Sequence, residues 1–348
     1  MAKTDIKSFN LTELENLMAQ MGEPKFRASQ IFKWLQSGVE SFGEMTDISL
    51  KLREKLEDSC YIASLKILRK LKSKIDGTVK YLYELTDGQT IESVLMKYEH
   101  GYSLCISTQV GCRMGCSFCA TGLGGLVRDL TASEMLAQIT TAQRDENIRV
   151  SNVVMMGMGE PLDNFRNSVK FLELVSHPKG LNIGLRHISL STSGVVSGIE
   201  KLKEYGFPIT LSVSLHAPFD GMRTDMMPVN KRWNIDALLK ACRDYQQVTA
   251  RRISFEYALI EGVNDSRECA DELYNRLKGI MCHINLIPVN PVKENSNRAP
   301  NKNKIYKFQK YLTDKGLNAT VRRTLGADIN ASCGQLRRRE QEGKGNDS

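Results

Sequence analysis

Residues 103–119, SLCISTQVGCRMGCSFC, decide the architecture. Leu104 and Ile106 alternate with Cys105, Ser107 and Gln109, so the stretch reads as a strand with one apolar and one polar face. Cys112, Cys116 and Cys119 follow at once in CxxxCxxC spacing. A strand that delivers three thiols onto the loop at its carboxyl end is the first unit of an α/β arrangement with chemistry at the strand ends.

The same alternation recurs downstream. Ser189, Ser191 and Ser193 oppose Ile188 and Leu190; Ser212, Ser214 and His216 oppose Leu211, Val213 and Leu215; Arg252, Ser254 and Glu256 oppose Ile253, Phe255 and Tyr257. Parallel strands covered on both faces read as continuous apolar runs, so one polar face on several of them predicts a curved sheet around a polar cavity. SNVVMMG (151–157) is the exception and reads as a fully buried strand. With RHISLST, ITLSVSL, RRISFEYAL and CHINLIPV there are six candidate strands, and the helices between them begin near Thr131, Asn164, Gly194, Asn234, Asp265 and Asn301. A partial (β/α)6 barrel is preferred over an open doubly wound sheet.

Toward the amino terminus the pattern changes. Residues 1–60 read as a helical accessory domain, with LTELENLMAQMG, FRASQIFKWLQSG ending at Gly38, and DISLKLREKLED with Asp47 as a plausible cap. Residues 61–98 read as a small β extension with a turn at Asp87-Gly88, leaving 99–348 as the core. Lys66, Arg69, Lys70, Lys72 and Lys74 form a basic run, either an RNA-facing patch or a solvated edge that blocks strand pairing.

Composition narrows the function classes. The chain has 348 residues, 41% hydrophobic and 25% charged, which is ordinary globular usage for about two domains. It has no apolar run of membrane-spanning length, and the first residues are charged where a secretory signal is apolar, so a cytoplasmic protein is expected. In that compartment nine cysteines point to metal ligands or catalytic thiols rather than a disulfide framework. A structural zinc site wants four ligands, and no second CxxC is present, whereas three thiolates on a four-iron cluster leave one iron open. The net charge of +8 permits a polyanionic partner.

CxxxCxxC after the first strand of a partial barrel, followed by Gly157-Met158-Gly159-Glu160 after the second, resembles the radical S-adenosylmethionine (SAM) superfamily. LCISTQVGCRMGCSFCATG, MMGMGEPLDN, SLSTSG, SLHAP, LIPVNP and DINASCGQL together resemble the RlmN/Cfr family of RNA adenine methyltransferases, closest to RlmN, over nearly the whole chain. The resemblance implies a 4Fe–4S cluster on Cys112, Cys116 and Cys119, with SAM on the open iron as the source of a 5′-deoxyadenosyl radical. It implies SAM contacts from Gly159, Glu160, Ser191, Ser214, Leu215, His216 and Asn290.

It also implies that Cys333 carries a methyl group from one of two SAM molecules used per turnover. Cys105 then resolves the RNA adduct as a transient Cys105–Cys333 disulfide, and Glu92, thirteen positions before Cys105, is the general base. Taken alone, Cys333 reads as a packing thiol, Glu92 as a solvated residue and His216 as a satisfied core histidine. The implied reaction is methylation of adenine carbon 2 in the peptidyl-transferase centre of 23S rRNA and at the adenosine 3′ of the anticodon in some tRNAs. The implied reductant is flavodoxin or ferredoxin, the implied enzyme a monomer.

Two alternatives stand beside it: a Cfr-type carbon-8 methyltransferase conferring antibiotic resistance, and a non-catalytic zinc-containing RNA-binding module. Arg322, Arg323, Arg337, Arg338 and Arg339 are candidate phosphate contacts or solvated helix faces. Cys60, Cys242, Cys269 and Cys282 match no motif and read as packing residues.

Overall fold

The computed structural model describes residues 3–290, 297–332 and 334–336. Its first three helices are α1 (Leu11–Gln20), α2 (Phe26–Ser37) and α3 (Leu50–Ser59). Asn10 and Glu13 close a capping box on α1, and Gly38 ends α2 in the left-handed region at φ 95°. Ser49, not Asp47, caps α3 by accepting the Leu52 N–H. Asp47 accepts instead from Trp34 Nε1 and Gln30 Nε2, joining the 40s loop to α2.

One ten-stranded sheet forms the rest of the frame. Strands β1 (Lys66–Lys72), β2 (Val79–Glu84) and β3 (Thr90–Tyr98) make an antiparallel meander. Its last strand pairs antiparallel with β4 (Gly101–Cys105). From β4 the sheet runs parallel through β5 (Val150–Met155), β6 (Ile188–Thr192), β7 (Thr210–Ser214), β8 (Ile253–Leu259), β9 (Cys282–Pro288) and β10 (Ala319–Val321). The α/β partial barrel expected from the sequence is therefore present, and the β extension continues its sheet. It also has a seventh parallel strand. Three residues, Ala319–Val321, are too few to show an alternation, and β10 forms because the edge of β9 offers it a ladder.

The helices between these strands are α4 (Ala132–Glu146), α5 (Phe165–Val175), α6 (Val196–Tyr205), α7 (Asp220–Met226), α8 (Ile235–Thr249), α9 (Arg267–Leu277) and α10 (Lys302–Asp314). Thr131, Asn234, Ser266 and Asn301 cap four of them through their side chains. Leu190, Leu211, Val213, Ile253, Phe255 and Tyr257 are fully buried in one core with apolar residues of these helices. That core also takes in Leu14, Phe32 and Leu52 of the first three helices. Lys7 Nζ reaches Thr140 Oγ1 of α4, and Lys170 of α5 pairs with Glu13.

Two expectations are corrected. SNVVMMG is not buried on both faces: Asn152 and Val154 are half-buried, and Met155, Met156 and Gly157 border the cavity described below. The basic run is also less available than its composition implies. On the edge strand β1, Lys66 pairs with Glu84, Lys70 with Asp145 and Glu146, and Lys72 with Glu146. Among the described residues no helix is long and apolar enough to cross a membrane.

Candidate cluster and cofactor cavity

At the carboxyl ends of the parallel strands lies an open cavity of about 160 Å³. Cys112, Cys116 and Cys119 line one wall; Gly157, Gly159 and Glu160 follow β5, Ser191 and Thr192 end β6 and Ser193 follows it, Ser214 ends β7 and His216 lies just beyond, Glu256 and Ala258 belong to β8, and Asn290 follows β9. The polar faces predicted for β6, β7 and β8 thus meet in one place, because side chains two residues apart on each strand share a face, whereas Cys105, Ser107 and Gln109 of the first strand and its continuation are buried outside the lining.

The cysteine loop is held by backbone geometry. Gln109–Gly111 pairs with Leu126–Asp129 as a short ribbon, and Cys112 N–H donates to Gly125 O at 2.9 Å. A Cβ on Gly111 would stand 2.0 Å from that same carbonyl, so only glycine fits. Ser117 N–H donates to Met226 O at the end of α7, and Ala120 N–H donates to Gly334 O. Burial pushes the Cys112 thiol up to about 12 and Cys116 higher still; Glu160 and Cys119 add to the first shift, Cys119 and Cys112 to the second.

Three neighbouring thiols in one wall, whose anions would repel one another, fit a polymetal cation that would displace their protons. Among the described residues no three such side chains close tightly enough on one point to hold a single ion. A four-iron cube takes one thiolate per corner iron and asks for no such point.

Glu160 is 3% exposed. Its backbone N–H donates to Gln109 Oε1, and its carboxylate accepts from Ser193 N–H at 2.6 Å and Leu162 N–H at 3.0 Å. Burial raises its pKa above the usual carboxylate value despite those donors. Gly159, at φ 105°, lies so near the start of the cysteine-loop ribbon that a Cβ would come within 2.6 Å of Gln109 Cβ and 2.7 Å of Gln109 N. We therefore expect Gly159→Ala to cost about 2 kcal/mol or more and to push Glu160 out of register. Thermal unfolding checks this, and an unchanged midpoint would show that the loop shifts freely.

His216 occupies the left-handed region at φ 57°, a conformation rare for a non-glycine residue. Its Nδ1 accepts Ala258 N–H at 2.8 Å, and burial pushes its pKa down to about 3. The ring is therefore neutral, with its proton on Nε2. Its edge meets Phe118, between two of the cysteines, with centroids 4.7 Å apart. His216 is thus both a satisfied histidine and a cavity wall.

Other expected site residues fall elsewhere. The Leu215 side chain is fully buried in the core on the opposite strand face, so only its backbone is near the cavity edge. Cys105 and Glu92 are buried outside the cavity lining, on one face of the sheet: Val94 stands opposite Cys105, and Glu92 lies two residues along. At 4% exposed, Glu92 is not a solvated strand residue. Cys333, Arg337, Arg338 and Arg339 lie outside the described residues. Cys60, Cys242, Cys269 and Cys282 are buried and free, as packing residues are.

Sequence reasoning missed Arg223. It is fully buried, donating to Leu215 O, Ser193 O, Ser214 O and Asn230 Oδ1. Glu256 was visible on its strand's polar face but was given no role; Arg322, expected at phosphates, borders the cavity 3.8 Å from the Glu256 carboxylate.

Comparison with known proteins agrees with this geometry. Residues 106–274 match the family model of the radical SAM superfamily, and residues 4–62 match that of the ribosomal RNA large subunit methyltransferase N-terminal domain. A protein of Alkaliphilus oremlandii named "probable dual-specificity RNA methyltransferase RlmN" is 53% identical over 97% of this chain and 99% of its own length. A namesake from Lachnospira eligens is 51% identical over 97% of each. The crystal structure of a radical SAM methyltransferase from Sphaerobacter thermophilus superposes with a TM-score of 0.91 at 42% identity, covering 96% of this chain and 99% of that one. With both ends of the chain matched and the cysteine loop, glycine turn and polar strand ends converging on one cavity, the chain belongs to the RlmN family of radical SAM RNA methyltransferases.

Proposed function

We propose that this chain methylates carbon 2 of an adenosine in the peptidyl-transferase centre of 23S rRNA, and of the adenosine 3′ of the anticodon in some tRNAs. The observation that carries the reading is the cavity in which three loop cysteines face Gly159, Glu160 and the serines at the ends of β6 and β7, its walls otherwise largely apolar (Met114, Met155, Met156, Ile287 and Val289) rather than polar throughout as the strand alternation predicted. When bound there, a 4Fe–4S cluster and SAM supply one-electron chemistry, which suits an adenine carbon too electron-poor for polar methyl transfer. Two SAM molecules serve each turnover, and a flavodoxin or ferredoxin supplies the electron to a cytoplasmic monomer.

The chain's own residues do the rest. Cys112, Cys116 and Cys119 hold the cluster. Gly159 and Glu160 take the amino end of SAM, and Ser191, Ser214, His216 and Asn290 surround its other groups. Cys333 loses its thiol proton and carries the methyl carbon to the base. Glu92 accepts a proton from the resulting adduct. The Cys105 thiolate then attacks the Cys333 sulfur, so an S–S bond forms as the S–C bond to the RNA breaks, and the departing carbon keeps the electron pair and takes up a proton to become the methyl group. Burial of Cys105 and Glu92 on a common sheet face supports these roles. The described residues just after position 333 are anchored beside the cluster loop, Gly334 O accepting from Ala120 N–H and Leu336 O from Thr121 Oγ1.

The test is anaerobic incubation of the reconstituted protein with reductant, SAM and either 23S rRNA or tRNA, followed by nucleoside mass spectrometry. We expect 2-methyladenosine from both. Only 8-methyladenosine would move the reaction to carbon 8. A colourless zinc-loaded protein that binds RNA fully and forms neither product would make it a binding module.

A further inference from the structure

Lys80 lies on β2, in the part of the chain where the sequence shows only a basic-flanked β extension. Across the sheet it stands opposite Val94 of β3, and Val94 stands opposite Cys105 of β4, so the three side chains form a row on one face. Its ammonium Nζ is 2.9 Å from Glu92 Oε1 and 3.0 Å from the carbonyl oxygen of Asn330. Both charged side chains are nearly enclosed, with 9% of Lys80 and 5% of Glu92 accessible.

Two further contacts fasten the same segment: Asp76 Oδ2 accepts Gly326 N–H at 2.9 Å, and Asp328 Oδ2 accepts Lys74 N–H at 3.0 Å. Residues 326–330 are thereby seated on the β1–β2 turn, with Lys80 at their inner end.

We propose that Lys80 is a positioning residue: it holds the Glu92 carboxylate ionised in a buried site and ties it to the segment that leads into Cys333. The inference deepens the functional reading above and rests on Glu92 being the proton acceptor. A pair held only for stability is a poor explanation, because desolvating two charges offsets most of their attraction. The bridge does something a pair alone does not, since one ammonium serves a carboxylate on a rigid strand and a carbonyl 250 residues away. The proton taken by Glu92 leaves the adduct carbon as H⁺ and ends on the carboxyl, so no oxidant or reductant enters that step.

The experiment compares Lys80→Met, Lys80→Gln, Lys80→Arg and Glu92→Gln in the full-length, cluster-reconstituted protein. It reads iron content, transfer of labelled methyl from SAM to the protein, and release of methylated RNA. Methyl transfer to the protein precedes any need for Glu92. We expect it to stay within about twofold in Lys80→Met, with the KM for RNA unchanged, while product release falls about 100-fold, the lower end of a general base's contribution. Lys80→Gln keeps a donor for Asn330 O without charge and should fall as far, whereas Lys80→Arg restores charge and should recover most of the rate.

If Lys80→Met and Lys80→Gln release product at the parent rate, or if both steps fall together in both variants, the proposal is overturned. If Glu92→Gln itself keeps full product release, the reading of Glu92 as base is what has failed. Loss in Glu92→Gln beside normal Lys80 variants overturns the Lys80 role alone.

Discussion

Cys116→Ala will leave a folded protein that takes up little iron and forms methylated RNA below detection. The thiol lines the cavity with the other two cysteines, between which it stands in sequence, and its loop is anchored independently through Cys112 N–H, Ser117 N–H and Ala120 N–H. Deleting the sulfur therefore removes a ligand without releasing the loop. Loss of an outer-shell partner alone costs a metal site about 10- to 100-fold, and loss of a direct ligand from a three-cysteine set costs more. The thermal midpoint of the metal-free variant should match that of the metal-free parent, which separates ligand loss from misfolding. Full iron and sulfide content with unimpaired turnover would remove Cys116 from the cluster.

Arg223→Met will have the largest effect on stability. The guanidinium is fully buried and directs hydrogen bonds to three carbonyls at the ends of β6 and β7 and to Asn230 Oδ1. Burial lowers its pKa to about 10, so it remains charged near neutral pH. Two effects oppose each other. Burying a cation is costly, and replacing buried charge by a hydrocarbon of similar length sometimes stabilises a protein. That holds when the partners are replaced as well; here Ser193 O, Ser214 O and Asn230 Oδ1 lose the guanidinium donor, at about 1–3 kcal/mol each, while Leu215 O keeps the Ala217 N–H.

Several such acceptors outweigh the gain, and we expect a net loss of about 3–5 kcal/mol, or roughly 4–7 °C in thermal midpoint for a chain of this length. SAM binding should weaken in parallel, because Ser193 and Ser214 belong to the strand ends that Arg223 joins. A midpoint within about 1 °C of the parent would show that the carbonyls find water.

Local signals account for most of the legible fold. Thr131, Asn234 and Asn301 were readable as helix starts because a cap acts within its own four residues. The alternation in β6, β7 and β8 was readable because a half-polar strand repeats every two residues. Asp47 misled because a carboxylate near a helix start also satisfies a neighbouring indole, and here it does. SNVVMMG misled because Met155 and Met156 are as apolar as core residues yet border the cavity. Arg223 was invisible since its acceptors Ser193 and Ser214 lie on two separate strand ends.

By itself the sequence determined the partial barrel, the three-cysteine loop and the family, because strand alternation, ligand spacing and motif order are properties of neighbouring residues. Tertiary structure alone decided that Glu92 is buried against Lys80, that Lys80 reaches Asn330, and that Arg223 joins two strand ends. Each of those depends on which strands become neighbours in the sheet and on what then covers them. A charged residue's sequence surroundings do not record the low-dielectric interior that the finished fold builds around it.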